Sequence, residues 1–495
     1  MTNSGKHSTL SKISYGFADI YGGGAFVVIS TFYTVFLTKS LGMHTALAGT
    51  IPLVGKIWDA ITDPLMGNIA DRTKSRFGAK RFWMLIGSII SAITFVVMWI
   101  PFYGGGNPIA QYIFYILMYM LFSTGFTIVM VPYNGLLPDM VEDYTSRAKF
   151  SSVRMIFSAL GAIIAGLVPT LMIKDNTNKF QYMNVSIIFA LIFFNAIILT
   201  FLGTWERQKE IQKVSLSETF TQSFTVFKSH SFRMFIGIFI FGQAAADFIT
   251  GLAVYYIDDV LHAYGGGNFT KLMGVILISQ FLGMILFAPI MAATSKKFPI
   301  LLGTPIRIVA TFAMLFFSYE GANFMVILGL SFIIGLAMAG TSTSIYAILS
   351  DLADVDELIT SVNRPGICSG MATFTRKIAA GLSSATIGIL LAMVGYDEKL
   401  AAAKEMQSAA TQRGIANVYV FAQIVLLAIT LIFTILFPVT KKEFDIVRKE
   451  VARRKGEDNS EITPEEKRIC EKVTGYKYDQ LWNKDNAYKL NTNKF

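Results

Sequence analysis

The stretch WDAITDPLMGNIADRTKSRFGAKR, residues 58–81, begins as an apolar helix that nevertheless carries two aspartates, Asp59 and Asp63, and ends as a basic loop. Spaced four apart, the two carboxylates fall on one helix face, one turn above the other, within reach of a shared ligand. What they mean depends on the solvent around them. A single Asp at mid-bilayer costs roughly 2.5–3.5 kcal/mol even on lenient insertion scales, so a pair there calls for a compensating cation or proton.

The rest of the chain says that the solvent is lipid. Its 495 residues are 53% hydrophobic, with 41 Phe, and only 15% charged, against about 25% charged in typical soluble domains. Apolar runs long enough to cross a hydrocarbon core of about 30 Å recur throughout. Twelve are counted, at 14–39, 44–70, 82–103, 109–138, 150–173, 181–204, 232–257, 271–293, 299–318, 323–350, 366–395 and 414–438. The N-terminus MTNSGKHSTLSK is polar and shows no cleavage pattern, so the first run is expected to remain in place. Two cysteines, Cys368 and Cys470, make neither a disulfide framework nor a metal cluster. The expected fold class is therefore an all-α membrane protein of twelve transmembrane helices, in the cell membrane.

Lys and Arg set the orientation. Five lie in DRTKSRFGAKR (71–81); more follow the sixth run, among them Arg207, Lys209, Lys213, Lys228 and Arg233, and the C-terminal tail is rich in them. The opposite loops YGGGNP (103–108) and YEGAN (319–323) are nearly bare, although 396–413 mixes both signs. Both termini are thus expected in the cytoplasm. The net charge of +10 reads as this topology signal and as contact with anionic membrane lipid, with no nucleic-acid partner.

The one long polar break, 205–231, divides the runs six and six. The expected organisation is an N-terminal six-helix bundle (1–204), a cytoplasmic central loop (205–231), a C-terminal six-helix bundle (232–439) and a cytoplasmic amphipathic tail (440–495). A weak internal echo supports duplicated halves: PLMGNIADRTKSRFGAKRFWMLIG from Pro64 is similar to a shortened PIMAATSKKFPILLG from Pro289. Within the tail, Ser460 or Thr463 suits a helix N-cap ahead of acidic residues.

Two carboxylates with Thr62 beside them suit a small hard cation such as Na⁺, and a carboxyl shielded from water suits H⁺. Lys56, one turn earlier, offers the competing reading of a permanent structural pair with Asp59. Three stretches together carry a family likeness: residues 58–81, SDLADVDELITSVNRPGICSG (350–370) and SYGF (14–17). They resemble the glycoside-pentoside-hexuronide:cation symporters, the melibiose permease family of the major facilitator superfamily, over about residues 12–440. The resemblance implies the major facilitator fold, a sugar substrate, a coupling ion (Na⁺ or H⁺), and no cofactor. It makes Asp59 and Asp63 the cation (metal-ion) ligands, with Thr62 and Thr127 beside them; Thr62 stands where the melibiose permease has asparagine. Asp71, Arg72 and Arg76 match the superfamily's cytoplasmic gating latch. Lys377, in FTRKIAAG (374–381), matches a lysine that approaches the acidic pair, and Arg154 matches an arginine that lines the cavity.

Departures from the family pattern bear on the substrate. Two sugar-binding aspartates of the melibiose permease align with Gly23 and Met130, and a nearby tryptophan with Asn134; Asp19, four residues before Gly23, is the candidate replacement. Arg154, Arg376 and Lys377 then favour an anionic sugar such as a hexuronide. Asp247 beside Gln243, Gln280, Tyr133 and Tyr346 are further candidates for sugar contacts. Arg307 is expected at a cytoplasmic helix start, and the glycines 22–24 at a close helix contact. An enzyme is not expected, because the four histidines sit in termini or loops and form no paired motif. The alternative within the fold is a carrier of a lysolipid or another amphipathic small molecule.

Overall fold

The structure, a computed structural model, describes residues 9–141, 144–206, 222–263, 267–362 and 364–487, excluding the side chains of 64, 68, 71, 72, 138, 144–149, 151, 152, 365 and 366. Among the described residues it is all helix. Six long helices come first: α1 (Thr9–Val35), α2 (Thr45–Arg72), α3 (Ala79–Val97), α4 (Pro108–Met140), α5 (Tyr144–Met172) and α6 (Lys179–Gly203). After residues 207–221, which lie outside the description together with Arg207, Lys209 and Lys213, come α7 (His230–Tyr255), α8 (Asn268–Ala293), α9 (Phe298–Met314), α10 (Phe324–Thr360) and α11 (Pro365–Met393). A short α12 (Glu398–Ala403) leads to α13 (Ala409–Asn417), which runs through a π turn into α14 (Gln423–Leu436). The tail adds α15 (Lys441–Lys455) and α16 (Pro464–Thr474).

Eleven of these helical stretches are long and apolar enough to cross a membrane. The remaining long helix, α2, has the length at 28 residues but is interrupted by Lys56, Asp59 and Asp63, so its polarity rather than its extent sets it apart. Asn107, Asn178 and Asn323 cap α4, α6 and α10 by accepting backbone N–H bonds, which is why those helices start where they do.

The chain divides into two compact units: 1–213 with 250–274 and 380–416, and 214–249 with 275–379 and 417–495. In the first, the backbones of α1 and α5 approach closely where Gly23 and Gly161 meet the other helix. A methyl group at Gly23 would sit 2.5 Å from the Ser158 carbonyl oxygen, and one at Gly161 would sit 2.6 Å from that of Ile20. The expectation for glycines 22–24 is met by this crossing. A buried aromatic cluster of Tyr33, Phe36, Trp99 and Tyr182 fills the ends of α1, α3 and α6.

In the second unit the tail caps α10. The last carbonyls of a helix have no partner within it. Here Leu358 O accepts from Trp482 N at 2.8 Å, and Ile359 O accepts from Asn483 N at 3.2 Å and from Asn486 Nδ2 at 3.0 Å. Arg364 grips Asp356 with two bonds, 2.6 and 2.9 Å, and reaches Ala487 O at 3.2 Å, while Lys455 pairs with Glu357 at 2.8 Å. The tail helices are locally well specified. Thr463 and Glu466 form a capping box at α16, which decides between the two N-cap candidates in favour of Thr463, and Thr440 with Glu443 does the same at α15.

Cys470, on the tail helix α16, is buried, and that burial pushes its thiol up to about 12, with Glu450 and Glu466 adding to the effect. Its alkylation therefore reports release of the tail. In a Cys368→Ala background, Asn486→Ala is expected to speed maleimide labelling of Cys470 by roughly twofold to tenfold, as loss of its hydrogen bond to Ile359 O, about 0.5–1.5 kcal/mol net, implies. Unchanged labelling would show that the tail is held elsewhere.

Candidate functional site

Asp59 is fully buried in α2, and its carboxylate accepts from Lys56 Nζ at 3.1 Å. The pair anticipated as an alternative thus exists in this structure. Lys56 does more than neutralise: its ammonium lies 3.3 Å from the centre of the Phe26 ring on α1, a cation–π contact. One turn along α2, Asp63 accepts from Thr127 Oγ1 of α4 at 2.7 Å. The Thr62 hydroxyl donates back to Trp58 O at 3.1 Å, and Trp58 Nε1 is fixed by Thr124 Oγ1 at 2.9 Å. So α2 presents its two acids to a hydroxyl from α4 and to an ammonium from its own preceding turn.

A second polar cluster sits on α1, α4 and α5. Arg154 Nε donates to Asp19 at 2.5 Å and its Nη2 to Asn134 at 2.7 Å, and the guanidinium lies 4.8 Å from the Tyr133 ring centre. The Tyr133 hydroxyl is spent on Tyr15 O at 2.9 Å, so Tyr133 offers the cluster its ring rather than its hydroxyl. Gly22 is the reason these groups fit: a methyl there would lie 2.4 Å from Asp19 Oδ1 and 2.5 Å from Met130 Cε. Asp19, Met130, Tyr133, Asn134 and Arg154 therefore form one group, with Gly23 in the backbone contact just described. Thr127, Met130 and Asn134, spaced three and four apart, share one face of α4 and connect this group to Asp63.

In the second unit Asp247 is held by Arg376 with two bonds, 2.9 and 2.7 Å, and both side chains remain partly exposed. Such a bidentate pair keeps a charged, directional edge without an isolated buried ion. Lys377 is half-buried on α11, and Gln280 donates to Ser342 at 3.0 Å. Tyr346 is more exposed than packed, at 57%, touching Phe239 edge-on. The side chains of Asp71 and Arg72 lie outside the described residues; Arg76 is exposed, over the Phe77 ring at 4.7 Å.

Arg307 departs from its expected place. It stands in the interior of α9, nine residues after the helix begins at Phe298, and is 2% exposed. The guanidinium donates to Ala245 O of α7 at 2.8 Å. A basic residue following a proline-rich, apolar helix start reads as an interface anchor in sequence, whereas a neighbouring helix's carbonyl is what satisfies it. The sequence reading also missed Lys80, which pairs with Asp139 of α4, and Glu206, which accepts the backbone N–H groups of Lys80 and Arg81 at the start of α3. Acid–base spacing across different helices carries no local signal.

The family described as MFS/sugar transport protein matches residues 14–441. The chain is 23% identical to the isoprimeverose transporter of Lactiplantibacillus pentosus over 440 residues, 87% of this chain and 89% of that one. It is 22% identical to the glucuronide carrier protein homolog of Escherichia coli (strain K12) over 90% of this chain and 95% of that one. Among solved structures, a bacterial homolog of the human lysosomal transporter Spinster shares the fold with a TM-score of 0.65 at 14% identity, over 88% of this chain and 98% of that one. By the match of its family over most of its length, the chain belongs to the MFS/sugar transport proteins, in the group of the glycoside-pentoside-hexuronide symporters, and is a multi-pass membrane transporter of sugar type rather than an enzyme.

Proposed function

We propose that the protein imports a glycoside, pentoside or hexuronide together with Na⁺ or H⁺ by alternating access. In this reading it spans the membrane twelve times, α2 included, with both termini in the cytoplasm. Its halves are the bundles 1–204 and 232–439, joined by the loop 205–231 and followed by the tail 440–495. The single observation that carries the reading is the acid pair of α2, Asp59 fully buried and Asp63 half-buried, joined through one face of α4 to the Asp19–Arg154 group.

The coupling ion is held by Asp59 and Asp63, with Thr127 and Thr62 supplying hydroxyl oxygen; carboxylate and hydroxyl oxygens are the donors that a small hard cation takes. An ion arriving at Asp59 competes with Lys56 for that carboxylate. Displacing Lys56 changes its contact with Phe26, seven residues and thus two turns from Asp19 on α1. Ion occupancy is thereby felt where the sugar is held. The sugar's hydroxyls exchange onto Asp19 and the Arg154 fork, and its ring face rests on Tyr133. Arg376, Lys377, Asp247 and Tyr346 are further candidates for sugar contacts, and Asp71, Arg72 and Arg76 form the cytoplasmic gate. The guanidinium and ammonium donors of Arg154, Arg376 and Lys377 suit an acidic sugar, in keeping with the glucuronide carrier homolog among the relatives. Both solutes drive transport only through their different affinities for the inward-open and outward-open states.

Counterflow in proteoliposomes with neutral and acidic sugars, with and without Na⁺, tests the reading, and fluorescent lysolipid uptake in the same vesicles tests the alternative cargo. Asp59→Asn and Asp63→Asn are expected to abolish uphill uptake while some exchange persists; unchanged concentrative uptake in both would refute the coupling role. Asp19→Asn is expected to raise the KM for sugar at least roughly tenfold, since a hydrogen bond to a charged group is worth about 1.5–3 kcal/mol. An unaltered KM in Asp19→Asn would remove Asp19 from the sugar site.

A further inference from the structure

A second charge cluster, unused by the transport reading, lies at the far ends of three helices. Lys39 stands in the π turn Phe36–Ser40 that continues α1, and its ammonium is 3.1 Å from Asp258 and 2.8 Å from Asp259 in the π turn Tyr256–Val260 that continues α7. The three residues are 3%, 6% and 2% exposed. Other elements contribute neutral groups. Asn176, between α5 and α6, donates to Asp258 at 2.5 Å, and Tyr396, after α11, has its hydroxyl 3.5 Å from Asp259. Thr38 and Tyr255 join their hydroxyls at 2.8 Å beside Lys39.

The remaining titratable groups that face the cluster are Tyr182 of α6, His262 just past α7, Asp175 and Glu398. Asp175 is taken by Lys404 at 2.6 Å, and Glu398 accepts the backbone N–H of Thr45 at 2.6 Å. One ammonium therefore serves two adjacent buried carboxylates. Paired charges in such surroundings roughly balance their desolvation, but a second like charge has no such offset. A proton on either carboxyl removes the excess.

We propose that Lys39, Asp258 and Asp259 form a proton-responsive latch, closed when the carboxyl pair holds one proton and loosened when both carboxyls are ionised. Helices α7 and α11 each begin in the second unit and finish in the first, so the latch ties their ends to α1. Low pH on that side keeps the ends together, and high pH lets them part. The orientation proposed above places this side outside the cell; neither the sugar nor the coupling ion enters the inference.

The test needs no substrate. Val260→Cys, buried in the same π turn, serves as the reporter in a Cys368→Ala, Cys470→Ala background. Glu320→Cys, exposed in the loop before α10, corrects for the pH dependence of thiol reactivity. A membrane-impermeant maleimide is applied to intact cells from about pH 5.5 to about pH 8.5, a span into which burial can lift a carboxyl. The ratio of reporter to reference labelling is expected to rise roughly tenfold with pH, the population change that one unit of linked pKa produces. Asp258→Asn and Asp259→Asn should hold the ratio low and flat, Lys39→Gln should raise it across the range, and Lys39→Arg should keep the native profile and so show that the chain folds. A flat native profile, or a Lys39→Gln ratio equal to the native one, overturns the latch. Labelling of Glu320→Cys in inverted vesicles alone refutes the orientation on which the latch stands, whereas loss of sugar uptake bears only on the transport reading.

Discussion

A charge placed among apolar helices is the constraint to which the rest of this protein answers. Removing an ion from water costs several kcal/mol even after relaxation, so it persists only with a partner of good geometry. Asp19 has Arg154, Asp59 has Lys56, Asp247 has Arg376, and Lys39 lies between Asp258 and Asp259. Arg307 meets the same demand with a backbone carbonyl. Each pair joins particular helices or turns, so the same contacts that make burial tolerable also decide which segments lie together. A pair of this kind is a weak source of stability and a strong source of specificity, because breaking it leaves an uncompensated ion behind.

Where a residue's partner is close in sequence or its pattern is periodic, the amino-acid order was enough. The apolar runs fall on helices, Asp59 and Asp63 share a face, Lys56 reaches Asp59, and Thr463 caps α16. Thr127 on Asp63 and Arg154 beside Asn134 were legible only through family likeness, since nothing local links α2 to α4 or α5 to α4. Arg307 was misplaced and Lys39 unnoticed for the same physical reason. Whether a basic side chain anchors at an interface or turns inward depends on a distant carbonyl or carboxylate, and periodicity says nothing about either.

Packing supports the chemistry at two scales. The α1–α5 crossing at Gly23 and Gly161 brings backbones together and thereby sets the separation between Asp19 and Arg154, which sit on those two helices. Gly22 then leaves room for both Asp19 and the end of Met130. A larger residue at this point displaces a carboxylate or a methionine, so the sugar cluster depends on an absent side chain as much as on the ones present. The π turns of α1 and α7 have a comparable role, since the extra residue in each re-aims Lys39 and the two aspartates.

The tail gives the molecule two unequal boundaries. The match to the sugar-transport family ends at residue 441, yet the donors that complete the last turn of α10 come from residues 482–486. A polypeptide trimmed to the matched region would lack part of its own architecture, and here the limits of the family match and of hydrogen-bonded completeness lie some forty residues apart.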